Sequence, residues 1–172
     1  MGNGAQVLVE RALSWALNAA PEAALQQNAY EAFMRHYGAA PNALTKLYPG
    51  AFEALHALHE AGFVLALITN KPERFIEPIL SHFGVLALFT STLGGDSLAE
   101  KKPSPLPLLH VAQTLDITPS ASVMVGDSRH DIAAGKAAGF TTVALPYGYN
   151  HGDPIEQSHP DLIVASLREL VS

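Results

Sequence analysis

Two hydrophobic rhythms divide the chain: helical spacing in its first third, then an alternation of strand-like and helix-like segments. Val7, Leu8, Ala12, Leu13, Trp15, Ala16 and Leu17 recur at the three-to-four spacing that lines one face of a helix. A second helix opens at Pro21-Glu22, where the fixed φ of proline suits a first turn, carries Leu25, Ala29, Phe33 and Tyr37 on one face, and ends at Gly38. Trp15 and Tyr30 read as helix-packing residues. Ala39 to Leu47, with Pro41 and Asn42, reads as a linker. Pro49-Gly50 then opens a helix that turns Phe52, Leu55 and Leu58 to the core and is closed by Gly62.

From Phe63 the pattern changes. Phe63 to Thr69 is a nearly continuous apolar run, which predicts a strand buried on both faces. The spacing next predicts a helix from Pro72 to Phe83, a short strand from Leu86 to Thr90 and a helix from Pro103 to Leu115. A strand at Ser122 to Val125, a helix from Asp131 to Ala138 and a strand at Thr141 to Leu145 follow, then a strand at Leu162 to Ala165 and a helix ending near Val171. Strands alternating with helices of this size imply an α/β fold, a parallel sheet with helices on both faces.

Composition narrows the classes of function. A chain of 172 residues, 48% hydrophobic and 15% charged, suffices for one good core and a small second lobe. Its net charge is −6 with only 10 Lys+Arg, so it has no basic field for nucleic acid or for an anionic membrane surface. The absence of cysteine excludes a disulfide framework, a thiolate zinc site and a cysteine nucleophile, and agrees with a cytoplasmic protein. Met1-Gly2-Asn3-Gly4-Ala5 lacks the basic flank and apolar core of a signal peptide, and no stretch approaches the ~18 apolar residues of a membrane span. Oligomeric state is left open.

The chemistry gathers at three strand ends. Val123-Met124-Val125-Gly126-Asp127-Ser128-Arg129-His130-Asp131 is an apolar strand that exits through a glycine into two acids four residues apart. Open α/β sheets bind ligands beyond the carboxyl ends of their strands, and hard cations such as Mg²⁺ take carboxylate oxygens; an acidic helix start is the plainer reading. Thr69-Asn70-Lys71 follows the first strand, and its hydroxyl, amide and turn N–H groups can bind phosphate oxygens or simply cap a helix. Lys101-Lys102-Pro103 precedes a helix, where a lysine can neutralise a phosphoryl group or stand solvated. The eight histidines, His56 and His59 among them, show no metal-ligand spacing, and Arg129 fits a solvated helix start as well as an anion guide.

In this order, a strand-end Thr, a Lys-Pro and a Gly-Asp-Ser-x-x-Asp resemble the second, third and fourth motifs of the haloacid dehalogenase-like hydrolases. Gly2-Asn3-Gly4-Ala5, Tyr48-Pro49-Gly50, Ile68-Thr69-Asn70-Lys71-Pro72, Gly94-Gly95-Asp96 and Tyr147-Gly148-Tyr149-Asn150 extend the likeness over essentially the whole chain, nearest to bacterial phosphoglycolate phosphatases. The resemblance implies a Rossmann-like parallel core at 48–172 and a partial helical cap at 1–47, with Gly2 to Gly4 as the cap's substrate-facing loop. It further implies that Thr69 and Asn70 hold the transferring phosphoryl group, that Lys102 stabilises its charge, and that Asp127 helps hold Mg²⁺ with Asp131 supporting from behind. The expected substrate is a small phosphorylated acid such as 2-phosphoglycolate. Another phosphatase, a phosphosugar mutase or a non-catalytic phosphate-binding module are the alternatives. A bacterial receiver domain also combines acids, Thr and Lys on a parallel sheet, but its acids precede them in the chain.

One motif of the family has no match. An N-terminal strand ending in Asp-x-Asp-Gly-Thr, the source of the nucleophile and of the general acid/base, is absent, so covalent catalysis of the family type lacks its first step. That strand would lie between those ending at Thr69 and Asp127. The expectation is a sheet without its first core strand, either in a truncated version of a longer enzyme, the preferred reading, or in a natural short protein that no longer performs the reaction; in both the chain is inactive by itself.

Overall fold

A computed structural model describes residues 4–148, 150 and 152–171; Gly2, Asn3 and Tyr149 of the motifs above lie outside them. Helices α1 (Ala5–Leu17) and α2 (Ala23–Ala39) pack on each other. Beyond the turns at 41–50 comes α3 (Ala51–Glu60), and then the alternating part: β1 (Leu65–Ile68), α4 (Ile76–His82), β2 (Phe89–Leu93), α5 (Leu106–Thr114), β3 (Val123–Gly126), α6 (Arg129–Ala138), β4 (Thr141–Ala144) and β5 (Leu162–Ile163).

Every strand pairing is parallel, as the alternation predicts, but the sheet is divided. Strand β1 pairs with β2, while β3 pairs with β4 and β4 with β5. Among the described residues no ladder joins β1 to β3, the two strands between which the sequence comparison leaves a place for one more. The exposure of β1 follows from this. All four of its residues are only half-buried, and Phe63 and Val64 just before it are 62% and 52% exposed. An apolar run suited to a central strand thus stands at an edge, which corrects the expectation of burial on both faces.

The apolar clusters tie the layers together. Leu108 of α5, Met124 of β3 and Ala134 and Ala138 of α6 form one cluster, with Ile68 of β1 and Phe140 packed on it, so side chains cross the line that the ladders do not. Met34 of α2 joins Phe75 and Ile79 with Tyr30, Phe33 and Tyr37, which fixes the helical pair to the α4 side of the core. Tyr30 is therefore a packing residue. Trp15 is not: it is 88% exposed, while α1 buries Val9 and half-buries Ala5, Val7, Leu8 and Leu13 on its other face. On α3 the buried positions are Ala51 and Ala54 rather than Phe52, which is half out of the core and rests its ring on His56.

Several boundaries move for local reasons. Residues 86–88 form a 3₁₀ turn and the strand begins at Phe89; buried Val85 and Leu88 are three apart and share a turn bond, a spacing that suits 3₁₀ geometry, and short apolar runs do not separate the two by periodicity. The predicted helix at Pro103 starts only at Leu106, since the residue before a proline is pushed out of helical space and both Lys102 and Ser104 precede one. Glu73–Phe75 is a 3₁₀ turn ahead of α4. The helix expected near the end is a 3₁₀ turn at Leu167–Leu170 whose cap is the Ser166 hydroxyl, accepting from the Arg168 N–H.

The short β5 is held by a side chain as well as by its backbone bonds to β4. The Asp161 carboxylate accepts from the backbone N–H of Thr142 at 2.8 Å and from its hydroxyl at 2.7 Å. These two bonds hold the Asp161 carboxyl below the usual carboxylate range, the hydroxyl contributing most. A depressed pKa gives stability that is complete above the ordinary carboxylate value and is lost as pH falls through the folded one. Acidification toward that value is expected to speed amide exchange at Thr142 before β3 is affected. Uniform protection of β3 and β4 down to global acid unfolding would contradict this.

Candidate functional site

The carboxyl ends of β1 and β3 are joined by side-chain contacts that come from three separate stretches of sequence. Lys102, on the turn before α5, is buried at 8% exposure. Its ammonium donates to the carbonyl of Ile68 at the end of β1 and pairs with Asp131 Oδ1 at 2.7 Å. Two of its three N–H donors are thereby committed, and one is left for an incoming oxygen. The side-chain amide of Asn70 donates to the carbonyl of Lys102 at 2.8 Å, clamping the lysine turn to the first strand end. Thr69 donates its N–H to Leu93 of β2, and its hydroxyl accepts from the N–H of Lys71 at 3.2 Å. The three motifs read from the sequence thus meet at one place.

Asp131 organises the loop that carries Asp127. Its Oδ2 accepts from the N–H of Asp127 at 3.2 Å, from the N–H of Ser128 at 3.0 Å and from the Ser128 hydroxyl at 2.8 Å. Ser128 is the N-cap of α6 and Asp131 its third residue, so the two form a capping box in which Asp stands where Glu or Gln is usual. Helix α6 accordingly begins at Arg129, two residues before the predicted start. The same acid neutralises Lys102, so Asp131 shapes the site from behind while Asp127, half-buried, stands at the strand end.

Two glycines admit this packing by lacking a side chain. A methyl at Gly126 would overlap the Cβ and carboxylate of Asp131, and one at Gly148 would overlap those of Asp127. Gly148 belongs to the segment after β4, and Asn150 secures that segment by accepting the Arg129 N–H at 2.7 Å and donating to the carbonyl of Asp153 at 2.8 Å. Neither residue was singled out by sequence reasoning beyond its place in a motif. The signal available was a Gly and an Asn two apart after a strand end, which ordinarily reads as a turn. The Arg129 side chain reaches an exposed pair with Asp153 at 3.3 Å, the solvated reading of the two open for it.

Around this centre lie groups of weaker claim. Tyr147 packs its ring on Tyr48 with centroids 4.5 Å apart, and its hydroxyl is buried without a hydrogen-bond partner among the described residues. Burial pushes that phenol's pKa up, with Tyr48 and Asp127 adding to the effect. No three His, Asp or Glu side chains cluster as a metal site among the described residues. The oxygen donor offered to a hard cation is the Asp127 carboxylate, the kind of ligand Mg²⁺ takes alongside water and phosphate oxygens.

Comparison with known proteins agrees with this architecture. The sequence model of haloacid dehalogenase-like hydrolases matches residues 8–145. The phosphoglycolate phosphatase of Vibrio vulnificus is 46% identical over 173 residues, spanning 99% of this chain and 76% of that protein. That of Pseudomonas putida is 47% identical over 172 residues, spanning 99% of this chain and 63% of the relative. A crystal structure of a predicted phosphoglycolate phosphatase from Haemophilus somnus superposes with a TM-score of 0.94 at 38% identity, covering 99% of this chain and 77% of that one. With these residues matched at this length and identity, the chain belongs to the haloacid dehalogenase-like hydrolase family.

Proposed function

We propose that this chain carries the phosphate-holding part of a Mg²⁺-dependent phosphatase that hydrolyses 2-phosphoglycolate to glycolate and phosphate, and that it does not turn over by itself. The observation that carries the reading is that Asn70 and Lys102 meet at the end of β1, next to Thr69, and that Lys102 pairs with Asp131, which in turn holds the loop of Asp127. The similarity to phosphoglycolate phosphatases supports the choice of substrate class. In this reading residues 1–47 form the cap, and the chain works in the cytoplasm on a small phosphorylated acid without nucleic acid or membrane as partner. Zero cysteines agree with a reducing compartment.

The geometry supports a role for each residue. The remaining Lys102 N–H and the turn N–H groups after β1 bind and orient phosphoryl oxygens, since phosphoryl transfer depends mainly on positioning and charge neutralisation. Asp127 would hold Mg²⁺, which when bound neutralises phosphate charge. The acids described here at the strand ends are Asp127 and Asp131, and Asp131 is committed to Lys102 and the capping box. Among the described residues no carboxylate is then left at this site as the nucleophile, once Asp127 holds the metal. This observation favours, as a second reading, a phosphate-binding module without catalysis.

Inorganic phosphate together with Mg²⁺ is expected to raise the melting temperature more than either does separately, by the linkage that gives ~2.7 kcal/mol at 100 times Kd. Asp127→Ala is expected to abolish the Mg²⁺-dependent part. No stabilisation by phosphate would sink the proposal. Metal-dependent phosphate release from 2-phosphoglycolate by the purified chain, lost in Asp127→Ala, would overturn both its inactivity and the binding-only reading.

A further inference from the structure

Three of the five lysines in this acidic chain stand at the turns that follow β1 and precede α5, and among the described residues only one of them has an acidic partner. Lys102 is neutralised by Asp131. Lys71, two residues after Thr69, donates instead to the hydroxyl of Tyr37 on α2 and lies 4.6 Å from that ring's centroid. That bond takes one of the three N–H donors of Lys71 and leaves two uncommitted among the described residues. The Lys101 ammonium has no hydrogen bond or ion pair among the described residues, although its carbonyl accepts from the Ser104 N–H. It is placed by its neighbours: a Cβ built on Gly4 would lie 2.8 Å from Lys101 Nζ and 3.6 Å from the carbonyl of Asn70. The start of α1 therefore brings Lys101 to the same turn that offers phosphate its N–H groups.

The arrangement is electrostatically incomplete. Two half-buried ammoniums without a carboxylate have been collected beside a lysine that already has one, in a protein of net charge −6. Each is reached by a residue of the helical pair, Tyr37 or Gly4. A phosphate monoester alone would engage Lys102 and the turn N–H groups. A ligand with a second acid group a few bonds away would also supply the missing counter-charge.

We propose that Lys71 and Lys101 determine specificity by binding the second anionic group, a carboxylate, of a substrate that carries both a phosphate ester and an acid. Tyr37 orients Lys71 for this by holding one N–H and covering one side of the ammonium with its ring. The assignment rests on the phosphate site described above. Its new content is which residues read the acid end, and none of the three touches the transferring phosphoryl group.

Calorimetric titration of the intact chain with 2-phosphoglycolate and with ethyl phosphate, a phosphomonoester of similar size without the carboxylate, separates the two ideas. The native chain is expected to prefer 2-phosphoglycolate by about tenfold, the factor that ~1.4 kcal/mol supplies. The Lys71→Gln, Lys101→Gln double variant is expected to lose the preference while keeping its affinity for ethyl phosphate. Lys71→Arg, which preserves the charge, is expected to retain most of it, and far-ultraviolet dichroism of each variant reports folding. Equal binding of both ligands by the native chain, or a preference unchanged in the double variant, would overturn the assignment and leave the phosphate site standing. Binding of neither ligand would overturn the phosphate site and the assignment with it.

Discussion

Replacing Lys102 with methionine is expected to destabilise the chain by about 3–5 kcal/mol, the range for removing one partner of a buried ion pair. For a chain of this size that corresponds to a fall in Tm of about 6–20 °C. The side chains of Lys102 and Asp131 are 9% and 8% exposed, so water cannot replace the lost partner. The carbonyl of Ile68 would also lose its donor. The effect should be strongly non-additive: Asp131→Asn in the Lys102→Met background removes the uncompensated charge and still offers an amide oxygen to Ser128. Recovery of part of the lost stability in the double variant is the expected signature. A Lys102→Met midpoint within about 1 kcal/mol of the native chain in urea would show that the bridge does not have the buried character described here.

Gly148→Ala is the second large effect, and it acts through shape alone. Its methyl would occupy the position of the Asp127 Cβ and carboxylate, so either the segment after β4 or the end of β3 must shift. Overpacking at such a contact costs about 1–3 kcal/mol. The displaced backbone would also loosen the Asn150 bond to Arg129 and with it the start of α6. Adding Asp127→Gly removes the group that is struck and is expected to restore most of the denaturation midpoint, although the carboxylate is gone. If the second change brings no recovery, the contact between these residues is not the cause.

Much of the site was legible because its chemistry is local to strand ends. Thr69, Lys102 and Asp127 each end an apolar run or open a helix, and their order along the chain was informative without coordinates. The role of Asp131 was only half legible. Its four-residue spacing from Asp127 suggested support for a metal, whereas its contacts are a capping box and a partner for Lys102, which depend on where another loop arrives. Lys71, Lys101 and Tyr37 were not legible as a group, because 34 positions separate Tyr37 from Lys71 and no periodicity links them. The fold shows the same limit. Alternation gave the strands and their parallel pairing, but the exposure of β1 depends on what pairs with its other edge, and that is a property of the sheet rather than of Leu65–Ile68.

The division of the sheet also bears on cooperativity. A ladder makes neighbouring strands open and close together, because each backbone bond is shared. Between β1 and β3, among the described residues, that coupling passes through the Lys102 ammonium, which touches Ile68 on one side and Asp131 on the other, through the Asn70 amide on the Lys102 carbonyl, and through the apolar cluster of Leu108, Met124, Ala134 and Ala138 on which Ile68 packs. The part built on β1 and β2 and the part built on β3 to β5 are therefore candidates for separate units of local unfolding. The Lys102 turn is one pin between them, beside the packing of α3 on the turn at Leu167–Leu170 and of Tyr48 on Tyr147, so whatever binds its remaining N–H would also help the two halves behave as one.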